Sequence, residues 1–451
     1  MNSSKVKMVV LGCPKNRADS EAVAGILRDA GHNIVGFDEE ADAVLVFTCA
    51  FVRDAEEESM SSIADMEELK RKNKIKALVV VGCLPERHRG ETGISAVLPE
   101  VDAWVGAADF PKMPQILKEA LGGKRRFKLS KSAGFLPGQK PRLRLGIEPF
   151  SYLKISEGCL NRCAYCTIPN IKGDFRSRPI SQLIAEAEML VEAGAKEIVL
   201  VGQDTALYGI DRYGRSRLSD LLTKLAWRLP QTWLRVMYCH PAHLNDLVFK
   251  TIAEFPNICP YIDVPIQHIS NSMLRRMGRH VSRKTIERII ENARKNIPGL
   301  VLRTTVMVGF PHESESEFKE LLDFIKTIRF ERLGAFAYSQ EEGTRAFRMP
   351  GQINERVKLE RLDIVMRTQQ QISWEISQDL VGKEIDVLID GPAEDWSGWT
   401  AARSMEYAPE VDGAIYIPDR GFKPGDRITA RITDALVYDL EAEPLMKRKT
   451  I

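Results

Sequence analysis

The sequence predicts an α/β protein made of three units in succession. These are an N-terminal parallel α/β domain, a partial (β/α) barrel, and a small C-terminal antiparallel β-barrel of the oligonucleotide-binding type. Three observations carry the prediction. Apolar β-branched runs alternate with amphipathic helical segments through the first 120 residues, the pattern of a parallel sheet covered on both faces. After a basic interruption the alternation resumes for six rounds from Tyr152 to Tyr338, which suggests a barrel or part of one. From Val381 to Glu443 it gives way to short β-prone runs separated by Gly and Pro, as in small barrels.

Taken in order, the first strands are VKMVVLG (6–12), AVLVFT (43–48) and ALVVVG (77–82). Helices are expected from an Asp19-Ser20 cap to Asp29, from Asp54 to Lys72, and from Pro111 to Leu121. Residues 122–144 break the pattern: Lys124 to Arg144 holds eight Lys and Arg and no acid. Gly and Pro punctuate this stretch, which favours a solvated linker over a strip facing RNA. The barrel strands are YLKIS (152–156), EIVLV (197–201), LRVMYC (234–239), YIDVPI (261–266), VLRTTVMV (301–308) and LGAFAY (333–338). Helices are expected at Ser181–Ala193, Leu218–Arg228, Ala242–Phe255, Ser282–Asn296 and Ser314–Ile328, with a long polar helix from Asn354 to Gln378. The predicted domains are therefore 5–121, a linker 122–144, a barrel 145–376 and a β domain 377–445.

Composition bounds the function. The chain has 451 residues, 64 Lys and Arg against 62 Asp and Glu, and 44% hydrophobic residues. A net charge of +2 excludes a uniformly basic nucleic-acid coat and an acidic disordered chain. No run approaches the roughly 18 apolar residues of a membrane span, and the N-terminus lacks a signal-peptide pattern. A cytoplasmic enzyme is expected. In that compartment thiols stay reduced, so clustered cysteines read first as metal ligands or catalytic groups.

Six of the eight cysteines are placed informatively. Cys13, Cys49 and Cys83 each directly follow one of the first three strands, and so share the carboxyl edge of a parallel sheet, where such folds bind ligands. A shared metal or cluster site is expected there. Cys159, Cys163 and Cys166 form a C-x3-C-x2-C motif after the first barrel strand. Three thiolates on one loop can hold three irons of a [4Fe–4S] cluster and leave the fourth open. A structural zinc would want four ligands, and no second CxxC follows; a redox dithiol would need only two cysteines. Cys239 and Cys259 read as buried small side chains, and His268 reads as a packing or hydrogen-bonding residue near the barrel mouth.

The GCLNRCAYC motif at the mouth of a βα barrel resembles the radical S-adenosylmethionine superfamily. The resemblance implies that the open iron chelates the cofactor and that its reductive cleavage yields a 5′-deoxyadenosyl radical, with Cys159, Cys163 and Cys166 as the catalytic centre. It further implies that Tyr165 packs near the adenine and that Gly202 and Gln203 meet the methionine amino group. It places VGFPHESESEF (308–318) beside the adenosyl group. Preceded by three strand-end cysteines and followed by a small β domain, the whole chain resembles the methylthiotransferases. In that family Cys13, Cys49 and Cys83 would hold a further [4Fe–4S] cluster, and the terminal domain is called TRAM. One cofactor molecule would serve as methyl donor and another as radical source.

Most members of the family modify adenosines of transfer RNA, and that branch tends to read GCQMN at the first cysteine. Here LGCPKNRADSE, FTCAFVRDAEEES, KISEGCLNRCAYCTIP, YIDVPIQHIS, YSQEEGT and DALVYDLEAE resemble the branch that modifies an aspartate of small-subunit ribosomal protein S-twelve. The charge of the last unit agrees: Ser377 to Ile451 holds nine Lys or Arg against fifteen Asp or Glu, which suits a basic protein better than RNA. The resemblance implies a low-potential electron donor such as flavodoxin, and RNA contact is compatible with it but not required. Transfer-RNA methylthiolation is the alternative activity.

Overall fold

The computed structural model describes residues 3–89, 93–127, 129–130, 142–394 and 396–445. The N-terminal domain is a five-stranded parallel sheet of β1 (Lys5–Val10), β2 (Asn33–Val35), β3 (Ala43–Thr48), β4 (Ala77–Gly82) and β5 (Ala103–Val105). Its order is β2-β1-β3-β4-β5. Every residue of β3 and β4 is buried, because helices cover both faces. Leu45, Phe47 and Val79 face one apolar cluster, and Val44, Val46 and Val80 face the other. The strand order reverses between β1 and β3, a topological switch point at which such sheets open a ligand crevice. Cys13 and Cys49 follow those two strands.

The barrel unit contributes β6 (Phe150–Lys154), a small hairpin of β7 (Ser156–Glu157) and β8 (Arg176–Ser177), and then β9 (Glu197–Val201), β10 (Trp233–Val236), β11 (Ile258–Asp263), β12 (Val301–Val308) and β13 (Arg332–Ala337). Its six main strands form one parallel sheet in the order β13-β12-β11-β10-β9-β6. One face of each strand, Leu153, Leu200, Leu234, Ile262 and Leu302 among them, packs on the outer helices. The inner face bears Tyr152, Val199, Trp233 and Tyr261, and is closed by Ala18, Leu388 and Ala408 from the flanking units.

The C-terminal unit is a closed barrel of β14 (Glu384–Pro392), β15 (Trp399–Arg403), β16 (Ile415–Pro418), β17 (Arg427–Ala435) and β18 (Leu440–Pro444), in the order β14-β15-β16-β18-β17. Its pairs are antiparallel except β16 with β18. The loop after β15 reaches into the open barrel. Tyr261 Oη donates to Asp412 at 2.7 Å, Tyr152 Oη donates to Glu410 at 2.6 Å, and Arg403 Nη1 meets the buried Glu197 at 2.8 Å.

Several boundaries differ from the sequence reading: the strand expected at 261–266 runs over Ile258–Asp263, and the one expected at 234–239 ends at Val236. The first helix begins at Pro14, not at Asp19-Ser20, because Cys13 is its N-cap residue and Pro14 suits the first helical position. The helix expected from Ala242 begins at Asp246, where the Asn245 side chain accepts from two backbone N–H groups. The strands β2 and β5, three residues each, were not foreseen. Of the basic stretch, residues 128 and 131–141 lie outside the described residues. Arg142 is buried against Glu21 and, at 2.7 Å, Glu186, so this arginine belongs to an internal ion network instead of a solvated strip.

Candidate active site

The N-terminal cysteines are brought together by tight turns at three strand ends. Gly12 has φ +87°, and a Cβ there would stand 2.6 Å from Cβ of Cys49, so only glycine lets the two loops close on each other. Cys13 then caps the helix Pro14–Asp29, its carbonyl accepting from Asn16 and Arg17 N–H at 2.8 and 3.2 Å. Cys49 is fixed through Ser59, whose Oγ lies 3.1 Å from its N–H and 2.8 Å from its carbonyl. Cys83 opens the short helix Cys83–Arg87, where Leu84 N–H donates to the Thr48 hydroxyl at 3.2 Å.

Gly158, with φ +75°, turns the chain out of the β7 strand, and a Cβ there would lie 2.3 Å from the Asp174 carbonyl oxygen. The cysteine loop that follows is held by its neighbours. Ala164 N–H donates to Met277 O at 2.7 Å, and its carbonyl accepts from Ala346 at 2.8 Å. Asn161 Nδ2 donates to Asp204 at 2.8 Å. Asp204 also lies 2.7 Å from His243 Nδ1 and accepts from His240 N–H at 3.2 Å. Asp204, His240 and His243 group their ligand atoms within 4.8 Å, and these bonds tie them together as a brace for the loop.

All six cysteines of the two motifs line one cavity of about 380 Å³, together with Lys15, Lys172, Gln203, Tyr238, His240 and Arg279. Burial, reinforced by neighbouring thiols, pushes Cys159 up to about 11 and Cys83 and Cys166 up to about 12, and raises Cys49 as well. Thiols crowded in this way ionise only beside a compensating cation, so the donor set fits bound metal. Among the described residues no Cys₄ set forms: each trio supplies three sulfurs, which suits a [4Fe–4S] cluster with one open iron better than closed tetrahedral zinc.

Beneath the cavity lies a buried charge cluster that joins two domains. Lys154 meets Asp19 and, at 2.7 Å, Glu157, while Lys172 stands 3.8 Å from Asp19 and 3.9 Å from Glu157. Burial opposes ionisation of Glu157, but Lys154 and Lys172 outweigh it and hold that carboxyl at about 2. Two cations and two anions thus neutralise one another below the thiols, and the pairing satisfies groups that would be costly to bury singly.

Three further polar atoms of the cavity wall are buried with no hydrogen-bond partner among the described residues: Gln203 Oε1, Gln267 Oε1 and His240 Nε2. His240 Nδ1 accepts the Ala242 N–H at 3.1 Å, which leaves the proton on Nε2. Burial, with Arg279 and His243 beside it, pushes this imidazole down to about 2, so it stays neutral. Unpartnered buried polar atoms are costly in a native protein, and here two acceptors and a donor meet a wall of thiols. They fit a ligand with amino and hydroxyl groups.

Of the residues expected from sequence, Gln203 lines the cavity and donates its amide to Glu157 at 3.0 Å. Tyr165 also lines it, accepting from Arg279 at 3.1 Å and packing edge-on to Phe310. Gly202 stands just behind the wall, where a Cβ would lie 2.7 Å from Ser156 Oγ. The segment 308–318 forms a turn and a helix start closed by a Ser314–Glu317 capping box. Cys239 and Cys259 are buried. His268 is buried as well; its Nδ1 accepts from Ile269 and Ser270 N–H, and its Nε2 faces Glu313 at 3.3 Å. Sequence reasoning missed Lys15, Lys172, Tyr238, His240, Gln267 and Arg279. Lys15, Tyr238, His240 and Gln267 each lie within a few residues of a strand end, which is a positional signal; Lys172 and Arg279 carried none.

Comparison with known proteins agrees with this arrangement. Residues 153–325 match the radical SAM superfamily, residues 381–445 the TRAM domain, and residues 5–106 an uncharacterized protein family, UPF0004. Ribosomal protein uS12 methylthiotransferase RimO of Desulforamulus reducens is 42% identical over 97% of this chain and 99% of its own length. The protein of the same name from Clostridioides difficile is 40% identical over 98% and 99%. Among solved structures, the radical S-adenosylmethionine methyltransferase TsrM of Kitasatospora setae superposes with a TM-score of 0.56 at 12% identity, covering 89% of this chain and 77% of that one. That likeness is one of fold.

Proposed function

The chain belongs to the ribosomal protein uS12 methylthiotransferase family, and on that premise we propose that it installs a methylthio group on the β-carbon of an aspartate of uS12. One observation carries the reading: two cysteine trios from different domains line one cavity of about 380 Å³. Cys159, Cys163 and Cys166 would hold the cluster that binds S-adenosylmethionine, and Cys13, Cys49 and Cys83 a second [4Fe–4S] cluster. When bound, these groups supply the reducing electron, a hydrogen-abstracting radical and the methylthio group.

The chain's own residues do the positioning. Gly12 and Gly158 bring the thiols to the cavity, and the Asp19–Lys154–Glu157–Lys172 cluster holds the two domains in register beneath them. Gln203 Oε1 is an acceptor for the cofactor's amino group, and His240 Nε2–H is a donor for an oxygen of the cofactor or substrate. Tyr165, set by Arg279 and Phe310, offers a ring edge to the adenine. Placement of both reacting centres in one cavity is where the rate advantage arises, because it replaces encounters in solution with fixed geometry. A low-potential donor such as a flavodoxin would deliver the electron.

Peptide mass spectrometry of uS12 from cells with and without this gene tests the reading. Replacement of one hydrogen by SCH3 on an aspartate, lost on deletion, is the expected result. An unchanged uS12, with a methylthio mark lost from transfer RNA instead, would overturn it.

A further inference from the structure

Among the described residues three cations line the cavity, and two of them are committed. Lys172 faces Asp19 and Glu157 at 3.8 and 3.9 Å. Arg279 donates to Tyr165 Oη at 3.1 Å and to the Pro265 carbonyl. Lys15 differs. It is the second residue of the helix Pro14–Asp29, two positions from Cys13, and its Nζ has no hydrogen-bond or ion-pair partner among the described residues. It stands 3.7 Å from the centroid of the Tyr238 ring.

The ring is held there at a conformational cost. Tyr238 has φ +63°, a region that a bulky residue occupies only under constraint. Its N–H donates to Asp263 Oδ2 at 2.9 Å, and Asp263 is fixed in turn by Arg303 at 3.0 Å. A ring face orients an ammonium by its quadrupole but accepts little from its three N–H donors. What remains is a positioned cation with free donors at the wall where both cysteine trios converge.

We propose that Lys15 selects the substrate by binding the side-chain carboxylate of the target aspartate. This rests on the reading of the substrate given above. A carboxylate answers both the charge and the free donors of the ammonium, through charge-assisted hydrogen bonds. It is also the only handle on an aspartate side chain, and it lies one bond from the β-carbon. Fixing it at Lys15 therefore fixes which C–H bond enters the space between the clusters. An asparagine in the same place presents no charge and one acceptor oxygen instead of two, and loss of that charge-assisted hydrogen bond corresponds to roughly ten- to hundred-fold in affinity.

The test uses the full-length reconstituted enzyme with S-adenosylmethionine, and two probes: uS12 and uS12 with the target aspartate changed to asparagine. The wild-type enzyme is expected to bind the aspartate form roughly ten- to hundred-fold more tightly. Lys15→Met should bind both forms alike at the weaker level while keeping its iron content and cluster absorption. Lys15→Arg should restore the preference. A Lys15→Met enzyme that keeps the full preference, or one whose iron content falls in parallel with binding of both forms, would overturn the proposal; the second result would assign Lys15 to the cluster instead. Mass spectrometry of uS12 treated with wild-type enzyme separates the two readings. If uS12 is methylthiolated but Lys15→Met still discriminates, only the role of Lys15 fails; if uS12 is untouched, the substrate reading fails and this proposal with it.

Discussion

Gly158 shows how little freedom the site leaves its residues. Its φ of +75° disfavours any side chain, and a Cβ would press within 2.3 Å of a backbone oxygen. Gly158→Ala is expected to cost about 2–3 kcal/mol, combining backbone strain with a clash that backbone cannot easily relieve. A thermal melt and the iron content of the reconstituted protein check this, and both should fall. Glu317 makes a different point. Burial opposes its ionisation, but the Ser272 hydroxyl, Ser314 N–H and Arg276 together hold its carboxyl at about 2. A carboxyl held below its unfolded value stabilises the fold above that value. The contribution is complete above about pH 4.5 and is lost as pH falls through about 2. Melting temperature measured down this window should drop more steeply for the wild type than for Glu317→Gln, and equal slopes would contradict the assignment.

At the scale of elements, the basic segment after residue 121 separates into parts with different fates. Arg142 reaches Glu21 of the first helix, Glu186 of the helix Ile180–Glu192 and the Tyr152 carbonyl, all buried. Arg142→Ala would leave Glu186 with Arg178 at 2.5 Å and Glu21 with Arg17 at 3.8 Å, and is expected to cost about 3 kcal/mol. Arg125→Ala, at an exposed position, should change stability by no more than about 0.5 kcal/mol. Denaturant unfolding of the two variants distinguishes an internal tie from a uniform solvated strip. The same contrast shows what a sequence can carry. Strands such as EIVLV and VLRTTVMV, and helix caps such as Ser314 and Asn354, were legible because periodicity and capping are local. Cys13, Cys49 and Cys83 were legible because each follows a strand end, and Cys159, Cys163 and Cys166 because they share one short motif. Arg142, Lys172 and Arg279 were not, since their partners lie in other elements and no local pattern marks a cation that will be buried. The first helix start was misplaced because a cysteine N-cap leaves no Ser, Thr or Asp signal.

For the whole molecule, the decisive feature is that neither outer domain is an appendage. The N-terminal sheet presents three thiols across the barrel mouth, and the TRAM barrel closes the other end through Arg403, Glu410 and Asp412. Residues far apart in sequence thereby reach one cavity. Among the described residues no helix is long and apolar enough to cross a membrane. The central claim is a division of labour between two cysteine trios that serve one substrate carbon. The most direct test is to react reconstituted Cys49→Ala and Cys163→Ala with uS12 and methyl-labelled S-adenosylmethionine, scoring cofactor cleavage and label on uS12 together. Cys163→Ala is expected to lose both. Cys49→Ala should still cleave the cofactor while transfer of labelled methylthio to uS12 falls below detection, whereas a Cys49→Ala enzyme that still methylthiolates uS12 would contradict the account.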